Sequence, residues 1–351
     1  MEKTVLVINP GSTSTKLAIY KNGELFLKTK IEHSTDELSK YPGIWNQYDF
    51  RMEVIRKWIK ENLKECSAVV AMGGLLRSIE GGTYRINRQM IKDARANLQG
   101  EHASNLGCAM ADEIAAEFKC PAYTVDPVSV DEFEPLARYS GHPDIVRKSL
   151  SHTLNIHAAA RRGAKEINKE LKDTSFIICH LGGGISIAPV RGGRIIDVND
   201  ASSDGPFTPE RTGGLPLQQF ITICMSGKYK EQELRKFVMG KGGLVAYLGT
   251  NSVQEVEKRI SSGDKKAEEV YEAMAYQISK EIGAMSTVLK GKVDRIILTG
   301  GIANSKILTE WIRERVSFIA PILIYPGEDE MLALSQGAFR ILNGEEQAKE
   351  Y

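Results

Sequence analysis

The chain has 351 residues, 42% of them hydrophobic and 26% charged, which suits a folded protein of two domains at ~150 residues each. That balance excludes a mostly disordered chain, a fibrous repeat and a disulfide-stapled miniprotein. With 46 basic against 45 acidic side chains and a formal charge of +1, no whole-molecule attraction to nucleic acid or anionic lipid is expected.

The amino terminus, MEKTVLVINPG, carries too short an apolar run for a signal peptide, and no later run reaches the ~18 residues of a membrane span. Cys66, Cys108, Cys120, Cys179 and Cys224 are scattered without CxxC spacing, which argues against a zinc site or a disulfide framework. The expectation is a cytoplasmic protein without a membrane partner.

In chain order, residues 4–9 form a β-branched apolar run that reads as a buried strand. A turn at 10–14 leads to a second strand at 17–20, and Asn22-Gly23 signals a hairpin into a third at 24–29. Val54, Ile55, Trp58, Ile59 and Leu63 then share a helical face, as do Leu106, Met110, Ile114 and Phe118. The opening pattern returns later: strand 176–180, the turn Gly182-Gly183-Gly184, strand 185–190, the hairpin Gly192-Gly193 and strand 194–197. Such a repeat suggests a duplicated domain, against the alternative that glycine turns recur by chance in an α/β chain. Pro206, Pro209, Gly213, Gly214 and Pro216 mark a loop. A long helix carries Val270, Met274, Ile278, Met285, Val288 and Leu289 and stops at Gly291. Strand 293–298 enters Gly300-Gly301, followed by a helix with Ile307, Leu308, Trp311 and Ile312, strand 322–325 and a terminal helix over 331–342.

The segment at 9–16, NPGSTSTK, holds the ingredients of a phosphate cradle. Gly11 allows close backbone approach, Ser12, Thr13 and Ser14 supply hydroxyls, and Lys16 supplies charge. It is not a Walker A loop, because the second glycine before the lysine is missing and a strand follows instead of a helix. A serine-rich hairpin with a solvated lysine is the plain alternative. His180, Gly182, Gly183 and Gly184 form a matching turn, whose successive glycines are easier to explain if a ligand approaches the main chain. Gly300, Gly301, Ala303 and Asn304 suit an adenosine moiety, or simply an ordinary helix entry.

NPGSTSTK, SHTLN at 151–155, HLGGGIS at 180–186, FTPERTGGLP at 207–216 and LTGGIANS at 298–305 resemble the acetate and butyrate kinases, in order and over essentially the whole chain. GGLLRSIEGGTYRIN at 73–87, Val125-Asp126-Pro127-Val128 and the modest chain length favour the butyrate branch. The resemblance implies an α/β protein of two duplicated actin-like (ribonuclease H-like) domains with the active site in the cleft between them. Residues 1–148 plus 331–351 would form the N-terminal domain and 149–330 the nucleotide-binding one. It also implies ATP/ADP and Mg²⁺, reversible phosphorylation of a short-chain carboxylate such as butyrate or isobutyrate to its acyl phosphate, and a homodimer or higher homo-oligomer.

By the same resemblance, Arg211 and His152 stabilise the transferring phosphoryl group. Asp126 serves acid/base chemistry or metal organisation, of which positioning metal and water is favoured because the acceptor is already ionised. His102 stands beside the substrate, or merely caps a turn. Asn9 and Glu330 orient magnesium, although Glu330 lies in a cluster with Glu328 and Asp329 that also reads as a solvated acidic loop. Two departures stand out. Met72 occupies a position where such kinases usually carry an arginine for the substrate carboxylate, so Arg77 or Arg85 takes over or the acceptor is held differently. Ser252 replaces an aspartate that commonly approaches the nucleotide. Acetate or propionate kinase, a sugar kinase and an actin-like nucleotide switch remain the competing readings.

Overall fold

A computed structural model describes residues 2–351. The chain divides into two compact units, one running to Asp131 and resumed by Asp329–Tyr351, the other spanning Glu132–Glu328.

In the first unit, β1 (Thr4–Pro10), β2 (Ser14–Lys21) and β3 (Glu24–Glu32) form an antiparallel meander. On its other side β1 pairs in parallel with β4 (Ala68–Ala71), and β4 with β6 (Ala122–Val125), while β5 (Thr83–Arg85) closes the edge antiparallel to β6. The sheet order is β3-β2-β1-β4-β6-β5. Every residue of β1 is buried, as a continuous apolar run demands of a central strand. Its neighbours include Met52, Ile55 and Ile59 from helix Tyr48–Asn62 and Met110 and Ile114 from helix Gly107–Phe118. The last helix, Glu330–Leu342, returns to pack on β1, β4 and β6.

The second unit repeats this plan. After a small exposed hairpin of β7 (Tyr139–His142) and β8 (Ile145–Val146), β9 (Ser175–Leu181), β10 (Ile185–Arg191) and β11 (Arg194–Ile195) form a second meander. β12 (Arg295–Gly300) lies parallel to β9, and β13 (Ile322–Pro326) parallel to β12. The order β11-β10-β9-β12-β13 matches β3-β2-β1-β4-β6 strand for strand. The repeat read from the glycine turns is therefore a repeat of topology.

Helix Lys265–Val288 buries Tyr271, Met274, Ile278 and Ile282 completely, packing on β9 and β10. Helix Thr153–Glu166 packs on β9 and β12 through small residues. A Cβ on Gly163 would lie 2.7 Å from Ile297 Cδ1. The sequence offers no large apolar stripe there, because Ala159, Ala160, Gly163 and Ala164 form much of the packed face. The expected strand 293–298 runs from Arg295 to Gly300 instead, because Lys290, Lys292 and Val293 are tied into the turn that ends the long helix. Among the described residues no helix is long and apolar enough to cross a membrane.

Candidate active site

In the first unit, the turn that joins β1 to β2 borders a cavity of about 210 Å³. Asn9, Ser12, Lys16, His102 and Glu330 line it together with Met72 and Val128. Asn9 Nδ2 donates to Glu330 Oε2 at 2.8 Å, and Lys16 Nζ stands 3.6 Å from the same oxygen. Helix Glu330–Leu342 thus delivers its first carboxylate to the strand-turn residues expected beside it. His102 is the residue before a short 3₁₀ turn, and its Nδ1 accepts from Ser104 N–H at 3.2 Å and contacts Ser104 Oγ at 2.8 Å. Burial lowers its pKa, so the ring is neutral, with the proton on Nε2. Capping and lining the cavity are both true of this residue.

Other expected residues of this unit stand apart from the cavity. Thr13 is exposed and Ser14 buried, and neither lines it. Asp126 follows β6 with φ of 42°, a left-handed conformation rare outside glycine. Its Oδ1 accepts from Gly82 N–H at 2.6 Å, and its own N–H donates to Gly82 O at 3.0 Å. Arg77 is forked across Asp93, Nε to Oδ2 at 2.6 Å and Nη2 to Oδ1 at 3.0 Å. Met72, 8% exposed, forms part of the cavity wall instead.

In the second unit, His152 precedes helix Thr153–Glu166 and His180 sits on β9, and their rings stack at 3.8 Å between centroids and 10° between planes. His152 Nδ1 is 2.9 Å from Ser186 Oγ, and His180 Nδ1 is 3.0 Å from Asn155 Oδ1. Burial, reinforced by Arg211, lowers the His152 pKa to about 4, and burial with His152 holds His180 well below its ordinary value. Both rings are neutral at pH 7.

Arg211 donates from Nη1 to Ala201 O at 2.7 Å, while its buried Nε has no protein partner. A Cβ on Gly184 would lie 2.7 Å from Arg211 Nη1 and 3.2 Å from His152 Cε1. This glycine is thus required by the side chains that meet over it, and not only by a ligand's approach. Thr208 Oγ1 accepts from Arg211 N–H at 3.0 Å and donates to Gly183 O at 2.7 Å, tying the 207–216 loop to the glycine turn.

Beside that turn opens a larger pocket, about 410 Å³, lined by Gly183, Gly301 and Asn304. Gly300, at φ of 90°, crosses over Leu181, whose O would be 2.4 Å from any Cβ there. Ala303 is buried beneath the same turn. Glu210, Asn251, Glu257 and Ser305 also line the pocket. Asn251 Nδ2 reaches Glu210 Oε2 at 3.4 Å, and Ser305 Oγ donates to Glu257 Oε1 while accepting from Leu308 N–H at the helix start. Ser252 caps the neighbouring helix Val253–Ser261.

The acetokinase family matches residues 137–322. Butyrate kinase 2 of Clostridium acetobutylicum is 50% identical over 355 aligned positions that cover 100% of both chains. The chain belongs to the acetokinase family. Probable butyrate kinase 2 of Caldanaerobacter subterraneus subsp. tengcongensis is 52% identical over 350 positions, 99% of each chain. The fold agrees: the crystal structure of Porphyromonas gingivalis acetate kinase matches with a TM-score of 0.80 at 16% identity, over 97% of this chain and 100% of that one.

For an acetokinase-family protein, the residues sequence reasoning missed are instructive. Asn251 and Glu257 lie outside the quoted motifs, while Glu210 and Ser305 lie inside the 207–216 and 298–305 stretches without being singled out there. Arg51 is another. It is wholly buried and grips the turn between β1 and β2 from beneath. As for metal, no group of three or more His, Cys, Asp or Glu among the described residues is arranged to hold an ion. The Asn9–Glu330 pair offers one amide and one carboxylate. That donor set fits a magnesium that keeps most of its water and is held largely by phosphates, not an all-protein cage.

Proposed function

We propose that the protein is an ATP-dependent kinase of short-chain carboxylates, reversibly converting butyrate or a branched relative such as isobutyrate to its acyl phosphate with Mg²⁺. The observation that carries this reading is 50% identity over the full length to a protein named butyrate kinase 2. The site geometry is consistent with it and supplies a mechanism.

A carboxylate acceptor is ionised at neutral pH, so no base is needed to make the nucleophile. The barrier lies in bringing two anions together, and it falls to fixed cations and N–H donors. In this reading the His152–Arg211 pair over Gly184 faces the transferring phosphoryl group. Arg211 contributes a permanent charge close beside the glycine turn. His152 contributes a hydrogen bond without a second charge, because its imidazole is neutral. Gly182–Gly184 and the Gly300–Asn304 turn then hold the nucleotide, in the second unit.

The first unit takes the acceptor; its bounds, to Asp131 and from Asp329, replace the expected 1–148 plus 331–351, because 132–148 cluster with the second unit and Glu330 with the first. Lys16 and the Ser12 turn bind anionic oxygen, His102 donates from Nε2, and Met72 and Val128 receive the aliphatic tail. Thr13, exposed on the same turn, offers its hydroxyl to an anionic oxygen, whereas buried Ser14 does not. Arg77 would have to leave Asp93 to bind a ligand, so the acceptor depends on the cavity residues first. Magnesium, when bound, neutralises phosphate charge. Asn9 and Glu330 would hold its water shell, whereas Asp126, 1% exposed and bonded to Gly82, shapes the turn after β6 and does not reach the metal or its water. We further propose a homodimer or higher homo-oligomer, which would cover the exposed Leu217, Ile221 and Met225 of helix Leu217–Met225.

The test is acyl-phosphate formation from ATP and Mg²⁺ across acetate, propionate, butyrate, isobutyrate and valerate. Highest kcat/KM for the four-carbon acids is expected. A preference for acetate would move the assignment to the acetate kinases.

A further inference from the structure

Arg51 lies on helix Tyr48–Asn62 with none of its surface exposed. Its Nη1 donates to Gly11 O at 2.9 Å, to Ser14 O at 3.2 Å and to Thr15 Oγ1 at 3.2 Å. Its Nη2 donates to Ser12 O at 3.1 Å, and Nε and Nη2 both donate to Gln47 Oε1, at 3.1 and 2.9 Å. All its donor groups are thus used, yet no carboxylate among the described residues pairs with it. Burial lowers its pKa to about 10, so it remains a cation at neutral pH. An unpaired buried charge is costly and survives only where something else requires it.

We propose that Arg51 is a positioning residue that turns the Gly11–Thr15 segment into an anion-binding surface, a role that rests on the carboxylate-kinase reading above. The argument follows from the planar trans peptide, in which the carbonyl of one residue and the N–H of the next point in opposite directions. Drawing Gly11 O and Ser12 O down onto Arg51 sends the N–H groups of Ser12 and Thr13 the other way. Both residues are exposed, and neither N–H has a partner among the described residues. The remaining carbonyls are occupied from within: Thr13 O accepts from His33 N–H at 2.8 Å and Ser14 O from Gly11 N–H at 2.8 Å. Thr15 Oγ1 links the guanidinium to His33 Nε2 at 2.8 Å, locking the underside. The buried cation therefore aims N–H dipoles outward and adds its own positive potential beneath them, and an anion seated on the turn supplies the charge that Arg51 lacks.

The test uses the full-length protein with Arg51→Lys, which keeps the charge and loses the fork, and Thr15→Val, which keeps the shape and loses the bridging hydroxyl. Folding is followed by near-ultraviolet circular dichroism, and ADP affinity by calorimetry reports separately on the second unit. Both variants should fold and bind ADP within about twofold of the parent. The kcat for butyrate should fall about 10²-fold in Arg51→Lys and less in Thr15→Val, as expected of misplaced but present binding groups. A folded Arg51→Lys with parental kcat overturns the proposal. If Arg51→Lys does not fold, parental kcat in Thr15→Val overturns it. Should the parent phosphorylate no carboxylate, the functional reading fails, and inorganic phosphate becomes the probe. Phosphate should then raise the melting temperature of the parent more than that of either variant, and equal shifts would overturn the role of Arg51.

Discussion

Arg211 and His152 meet over Gly184 so closely that a single methyl group would displace one of them. In the proposed mechanism, the contact makes the phosphoryl-facing geometry sensitive to changes that remove no charge. Arg211→Ala should lower kcat by about 10²–10³ through loss of a transition-state donor, measured by steady-state turnover. Gly184→Ala should lower kcat in the same direction while leaving the melting temperature nearly unchanged. Parental turnover in either variant would remove this contact from the mechanism.

The stacked imidazoles also give a pH signature. His152 and His180 have folded-state pKa values below the unfolded value near 6.5. The unfolded chain therefore binds more protons as pH falls below about 6.5, and stability drops progressively toward pH 4. The melting temperature should decline over this window in the parent and decline less in His152→Asn. Parallel curves would mean that His152 is not the buried neutral group described. At Met72, which lines the acceptor cavity, Met72→Arg should raise the KM for the carboxylate, and a preserved or lower KM would show that an arginine belongs there and that the methionine is no part of the acceptor wall.

At the level of elements, the helix beginning at Lys306 joins stability to the nucleotide pocket. Ser305 Oγ accepts from Leu308 N–H, accepts from Tyr271 Oη at 3.0 Å and donates to Glu257. Ser305→Ala should cost about 1 kcal/mol as a lost cap, read as a lower melting temperature, together with weaker ADP binding by calorimetry. Elements whose burial is written in large side chains, such as β1, β9 and helix Lys265–Val288, were readable from periodicity alone. Helix Thr153–Glu166 was not, because it packs through Ala159, Ala160, Gly163 and Ala164, which leave no hydrophobic stripe. Asn9, Ser12, Lys16, His102 and Glu330, which the family resemblance put in one active site, line one cavity. Arg51 escaped notice because an arginine in an amphipathic helix reads as solvent-facing, and only the fold carries it beneath a turn forty positions away.

Across the whole molecule, the two meanders carry their glycine turns at the same topological place, between β1 and β2 and between β9 and β10. A duplicated frame thus carries two turns built from different residues: a serine-rich turn held by Arg51, and a glycine turn crowded by Arg211 and His152. The proposed function uses that difference to divide acceptor from nucleotide. Light scattering after gel filtration should return at least twice the chain mass, and a monomer at micromolar concentration would remove the proposed oligomer. The central claim is that these turns serve phosphoryl transfer to a carboxylate, and trapping the product with hydroxylamine tests it most directly. With ATP and Mg²⁺ the account predicts hydroxamate from butyrate and isobutyrate, lost on chelation and lost in Arg211→Ala. No hydroxamate from any carboxylate, or phosphorylation of glycerol or a hexose in its place, would contradict it.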